Sequence, residues 1–359
     1  MEEASMSDLI LPGKLTDPAL QFEDDPRADP RLREAIALVG WSTDVAPLSD
    51  TASYEECLDY CQAFEAAAAQ AYPLMHAAMP DYPAVQTRVQ VIKGSAGHDI
   101  TLYIYRPDTK GLVPGMVHLH GGGMVLMTAQ DPSNIRWCKS LAARGMLVIA
   151  VEFRNGGGSL GNHPFPAGLN DCADAIQWAD RNRAALGLSC LIVSGESGGG
   201  NLSLAVTLKA KTEDWCERID GVFAMCPYIY GGYAEPAGEL VSIRENNGYL
   251  LDCEMMAALV KVYDPSGDNQ TNPLAWPFHA SVNDLRGLPP HIISVNELDP
   301  LRDEGLAYYR KLRHAEVTCA ARTVHGTPHA GDMGFPDITP DLYQETQDAL
   351  YRFALKVAE

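Results

Sequence analysis

Short, mostly apolar segments alternate with helical stretches along most of this chain. That alternation restricts its fold more than any other feature. Runs at 116–119, 146–151, 191–194, 222–225, 292–295 and 318–324 read as strands. Stretches at 134–143, 171–183, 201–211, 303–314 and 342–357 read as helices. Strands apolar on both faces need cover on both faces, so the pattern predicts a mostly parallel sheet between helical layers. Ahead of it, residues 88–92 and 100–105 alternate apolar and polar around a turn at 94–98, which is a β-hairpin pattern.

Two stretches break the rhythm. Residues 1–85 read as an acidic, helix-rich segment, with 11 acids against four bases in the first 50 positions. The Ala-rich run 53–72 suits a helix, capped by Thr51 or Ser53, and Pro80 and Pro83 close the segment. Residues 228–289 put some sixty positions where a strand-to-helix connection takes about two to six. This insertion carries its own helix at 252–262 and is placed over the ligand-binding edge of the sheet. The expected division is an N-terminal cap segment at 1–85 and a catalytic domain at 86–359 with a cap insertion at 228–289.

Composition excludes several roles. The chain has 359 residues, 46% of them hydrophobic, so it can bury a large core. Its formal charge of −20 repels phosphate backbones and anionic headgroups, which argues against nucleic-acid and membrane partners. A small-molecule substrate is expected instead, and a homodimer stays open. The acidic start does not suit a signal peptide. Nine cysteines without metal-ligand spacing read as free thiols in a reducing cytoplasm, with no metal site.

Four motifs carry chemistry. Gly195-Glu196-Ser197-Gly198-Gly199 is a G-x-S-x-G pentapeptide between a strand and a helix. A serine on that tight turn needs small neighbours, and the helix behind it offers its positive end to developing negative charge. His120-Gly121-Gly122-Gly123 ends a strand, and its amides can turn towards an oxyanion. Asp299 and His329 each follow a later strand, at the same edge of the sheet. A serine hydroxyl needs a base, usually histidine with a pKa of about 6.5, and a carboxylate to orient the ring. The order Ser197, Asp299, His329 is that of the α/β-hydrolases. Gly156-Gly157-Gly158 has no such context and reads as a plain loop.

With these motifs in the order HGGG, GESGGGNL, DPLRDEG and GTPH, the chain resembles the hormone-sensitive-lipase-like family of α/β-hydrolases. The resemblance covers residues from about 85 to the C-terminus. It implies an eight-stranded, mostly parallel α/β-hydrolase sheet with helices on both faces, a helical cap, and no cofactor. It implies Ser197 as nucleophile, Asp299 as acid and His329 as base, with oxyanion donation from the amides of Gly122, Gly123 and Gly198. Glu297 and His325 are the rivals to Asp299 and His329, and His120 reads as a structural ring. Met124 and Tyr228 are the residues expected at the substrate. The implied reaction is serine carboxylesterase hydrolysis of small, short-acyl esters. A lactone, amide or carbamate is the alternative substrate, and a non-catalytic receptor the alternative class.

Overall fold

The computed structural model describes residues 13–39, 48, 52–75 and 78–359. Thr51 and the acidic first twelve residues lie outside them. The sheet has eight strands: β1 (Val85–Lys93), β2 (Asp99–Pro107), β3 (Val113–Leu119), β4 (Leu147–Glu152), β5 (Leu188–Glu196), β6 (Gly221–Met225), β7 (His291–Leu298) and β8 (Cys319–Pro328). Their order is β1-β2-β4-β3-β5-β6-β7-β8. The β1–β2 and β2–β4 pairs are antiparallel, and every other pair is parallel. This is the expected α/β-hydrolase sheet.

Successive residues of β4 show why both faces need cover. Leu147, Ile149 and Val151 enter one apolar cluster, while Val148 and Ala150 enter the other. Helix α1 (Pro30–Val39) and helix α2 (Tyr54–Met75) precede the sheet. Helices α3 (Pro132–Ala143), α4 (Ala167–Arg181) and α5 (Gly198–Thr212) follow β3, β4 and β5. Helix α6 (Cys253–Tyr263) lies in the insertion, α7 (Arg302–His314) joins β7 to β8, and α8 (Pro340–Val357) ends the fold. Leu350 of α8 is fully buried against the sheet. Truncating such a residue to alanine costs about 2–5 kcal/mol.

Helix α2 starts at Ser53 with a reciprocal cap. The Glu56 amide donates to Ser53 Oγ at 3.2 Å, and the Ser53 amide donates to Glu56 Oε2 at 2.7 Å. Asp252 caps α6 by accepting from the Met255 amide at 2.7 Å. Helices α2 and α6 pack on each other. A third apolar cluster joins Phe22, Leu32 and Ile36 of the N-terminal segment to Tyr249, Leu298 and Phe335.

Four strands outrun their apolar runs: β3 starts three residues earlier, at Val113, and β5 spans Leu188–Glu196 around its run at 191–194. β7 continues to Leu298 and β8 to Pro328, across a register shift between Asn296 and Leu298. Backbone pairing there does not depend on side-chain hydrophobicity, so the sequence pattern stops short. All nine cysteines are free. Among the described residues no helix is long and apolar enough to cross a membrane.

Candidate active site

β5 ends at Glu196 and α5 begins at Gly198, so Ser197 makes the turn between them, with φ 55° and ψ −118°. This left-handed region is costly for a residue with a Cβ, and it persists only where neighbours hold it. The Ser197 amide donates to the Met225 carbonyl at 2.9 Å, and its carbonyl accepts from Asn201 at 3.0 Å and Tyr228 at 3.1 Å. The flanking glycines are sterically required. A Cβ on Gly195 or Gly199 would lie 2.3 or 1.8 Å from the Leu119 carbonyl oxygen. Among the described residues no group hydrogen-bonds the Ser197 hydroxyl, which faces a cavity.

Leu119 pairs with Gly195 at the ends of β3 and β5, so the glycine loop emerges beside the serine. Gly122, Gly123 and Met124 all have positive φ, at 88°, 61° and 62°. The loop folds back on itself: Val125 and Leu126 donate to the Gly122 carbonyl at 3.0 and 2.9 Å. A Cβ on Gly198 would sit 2.7 Å from the Gly123 nitrogen, so the proposed donors converge. His120 is the structural ring its position suggests. It stacks on Phe153 at 4.2 Å, with Nδ1 2.9 Å from the Gly121 carbonyl, and burial pulls its pKa down to about 4.

The Gly156-Gly157-Gly158 run is more than a connecting loop. Gly156 donates to the Met124 carbonyl at 2.9 Å and Gly157 to that of Val125 at 3.1 Å, bracing the glycine loop from below. A side chain on Gly157 would meet Leu58 of α2 at 2.9 Å.

His329 Nδ1 lies 2.8 Å from Asp299 Oδ2, and Asp299 is fully buried. The other carboxylate oxygen accepts from the Leu301 amide at 2.9 Å. Burial pulls the imidazole pKa down, but the Asp299 carboxylate outweighs it and holds His329 well above the usual 6.5. Cys226 completes this corner, its donor atom and those of Asp299 and His329 all within 4.8 Å of one another. Burial pushes its thiol pKa up, which keeps it an uncharged neighbour. Nothing in the sequence marks Cys226; the sheet order brings it there.

The rivals sit elsewhere. Glu297 Oε2 accepts from the Gly326 amide at 2.9 Å and lies 3.1 Å from Nδ1 of His325, which is 76% exposed. This pair ties β7 to β8 outside the cavity.

The cavity holds about 220 Å³ and its walls are predominantly apolar. Ser197, His329, Gly122, Gly123 and Tyr228 line it. So do Phe64 of α2 and Met255 of α6, which form a roof. Met124 does not line it. The left-handed turns fold Met124 into the core, 1% exposed, and Met127 takes the wall position. Glu65 and Glu196, also at the cavity, were not singled out from the sequence; a carboxylate that bonds a distant amide leaves no local pattern.

An eight-stranded sheet with a serine elbow, a facing glycine loop and a histidine–carboxylate pair defines a class of hydrolase. The comparisons agree. Residues 116–332 match a family model for the alpha/beta hydrolase fold. The chain is 31% identical to an arylesterase of Saccharolobus solfataricus over 72% of its own length and 80% of the relative's. It is 30% identical to the carboxylesterase NlhH of Mycobacterium tuberculosis over 69% and 76%. Among solved structures, brefeldin A esterase, a bacterial homologue of human hormone-sensitive lipase, superposes with a TM-score of 0.90 at 41% identity, covering 97% of this chain and 98% of that one. The chain belongs to the α/β-hydrolase family, among its hormone-sensitive-lipase-like members, and is a carboxylic ester hydrolase.

Proposed function

We propose that the chain is a serine carboxylesterase in which Ser197 is the nucleophile, His329 the base and Asp299 the carboxylate that orients the imidazole. The observation that carries this reading is the 2.8 Å His329–Asp299 bond on the wall of the cavity that Ser197 enters from its strained turn. Asp299 accepts from Nδ1–H, which leaves Nε2 free to take a proton. As substrate fills the cavity, the Ser197 hydroxyl closes on Nε2; such contacts are commonly long before substrate binds. Oγ attacks the ester carbonyl and its proton passes to Nε2. The amides of Gly122, Gly123 and Gly198 receive the developing oxyanion. The alcohol leaves with the proton from Nε2. Water then attacks the acyl–Ser197 ester by the same route and releases the acid.

Residues 1–85 and 228–289 form the cap in this reading, with α2 and α6 as its two helices. An apolar cavity of about 220 Å³ beneath α2 and α6 suits acyl chains of roughly two to six carbons, since a longer chain meets the roof. The compartment is the reducing cytoplasm, in keeping with nine free cysteines. Measuring kcat/KM on p-nitrophenyl esters from acetate to palmitate tests the substrate class. A maximum within two to six carbons is expected, and a maximum at palmitate contradicts it.

A further inference from the structure

The glycine loop holds an unusual amount of strain for its length. Gly122, Gly123, Met124 and Met127 all have positive φ, two of them residues with side chains. Strain of this kind relaxes unless the surroundings fix it. Two carboxyl groups meet the two ends of the loop. At the first end, the Gly121 amide donates to Glu196 Oε1 at 2.6 Å. At the second, the Met127 amide donates to Glu65 Oε1 at 2.8 Å, while Glu65 Oε2 accepts from Ser159 at 2.6 Å.

We propose that Glu196 and Glu65 are positioning residues that clamp the ends of the glycine loop and hold its amides at the oxyanion. The inference rests on the serine-esterase reading above. Glu196 adjoins the nucleophile in the chain, so its side chain fixes the loop relative to Ser197. Glu65 belongs to α2, so the same loop is set by docking of the N-terminal helix.

Glu196 is built for one task. It is 5% exposed, and its Oε2 is buried with no hydrogen-bond partner. The groups that face it are His118 of β3, with Nε2 3.9 Å from Oε2, Cys138 of α3, and His329. Burial pulls His118 down to about 3, so that ring is neutral, and the His329 imidazole lowers Glu196 by less than burial raises it. Burial raises Glu196 to about 8, so at neutral pH it is an uncharged acid whose carbonyl oxygen accepts from Gly121. A glutamine reproduces that acceptor. An aspartate is one methylene short. Glu65 uses both oxygens on two amides, so glutamine preserves only one of its bonds.

The test is steady-state kinetics on p-nitrophenyl butyrate for E196A, E196Q, E196D, E65A, E65Q and S197A. Loop amides act on the transition state, so the loss falls on kcat rather than KM. E196A is expected to lose about 100-fold in kcat with KM within about threefold, since a displacement near 1 Å costs about that much. E196Q recovers to within about fivefold of wild type. E65A loses about tenfold, and E65Q recovers part of it. If E196A does not fold, E196D carries the comparison and falls at least about tenfold below E196Q. Equal rates for E196D and E196Q, or alanine variants with wild-type kcat, overturn the clamp. Should S197A keep its activity, the serine reading fails instead.

A second readout is specific to the buried acid. Its folded pKa lies above its unfolded value, so the native state binds the extra proton and loses stability as pH rises from about 4.5 to about 8. E196Q has no such proton. Its melting temperature relative to wild type is expected to rise between pH 5 and pH 8, and a flat difference contradicts the assignment.

Discussion

Asp299 reaches His329 from the end of β7 while β8 delivers the histidine, and the two meet at 2.8 Å with the carboxylate fully buried. A charge so deep is tolerable because the ring N–H and the Leu301 amide both donate to it. On the proposed mechanism, Asp299→Asn removes the charge and reverses the tautomer preference. A fall in kcat of about 10⁴ is expected, against less than about tenfold for Glu297→Gln. Likewise His329→Ala abolishes turnover while His325→Ala, an exposed ring outside the cavity, costs less than about tenfold. Comparative kinetics of the four variants on one ester checks both orders.

The pH dependence follows from the same pair. As the proposed base, His329 must be neutral to accept a proton, and the Asp299 carboxylate beside it raises its pKa well above 6.5. Activity is therefore expected to climb with pH through an apparent pKa above 6.5, giving an alkaline optimum. A kcat/KM profile with its acid limb at or below 6.5 contradicts this.

The N-terminal segment braces the site from outside. Phe22, Leu32 and Ile36 pack on Leu298 and Phe335, and Arg27 bonds Asp25 at 2.7 Å and pairs with Glu245. Glu245 in turn holds Arg302 at 2.7 Å, at the start of the helix after Asp299. Deleting the first ~45 residues is expected to lower activity at least about tenfold and to lower the melting temperature, since it uncovers this cluster and unpairs Glu245 from Arg27. Unchanged rates in the truncated protein would show that the brace has no part in the site.

Glycine at the elbow is a steric requirement. Gly199→Ala would place a methyl 1.8 Å from the Leu119 oxygen, a backbone atom that cannot move aside. A loss of about 3 kcal/mol or outright misfolding is expected in urea unfolding.

Cysteine accessibility gives a separate check. Six of the nine thiols are buried, and burial raises Cys61 to about 12. Under native conditions a thiol reagent is expected to titrate at most the half-buried Cys216, Cys253 and Cys319, and all nine after denaturation. Rapid reaction of more than three in the folded protein contradicts the described packing.

Much of this architecture was legible in the chain because the signals were local. Apolar runs marked the six strands after the hairpin, and the hairpin pattern marked β1 and β2 a few residues short at each end. The elbow and the glycine loop each occupy consecutive residues, so their motifs could be read directly. What escaped was contact between distant segments. Glu65 bonds an amide 62 positions away and Glu196 one 75 positions away, and neither spacing leaves a pattern. Met124 and Met127 exchanged places at the cavity because backbone turns, not residue type, decide where a side chain points. Cys226 joined the histidine through sheet order alone.

The central claim is that Ser197 is the nucleophile, and covalent labelling tests it most directly. Treating the protein with a p-nitrophenyl alkylphosphonate and measuring intact mass is expected to give one adduct per chain, carried by the peptide containing Ser197, with activity lost in step. The S197A variant is expected to fold, take up no label and hydrolyse no ester. Labelling at another residue, or a labelled protein that still turns over, would contradict the account.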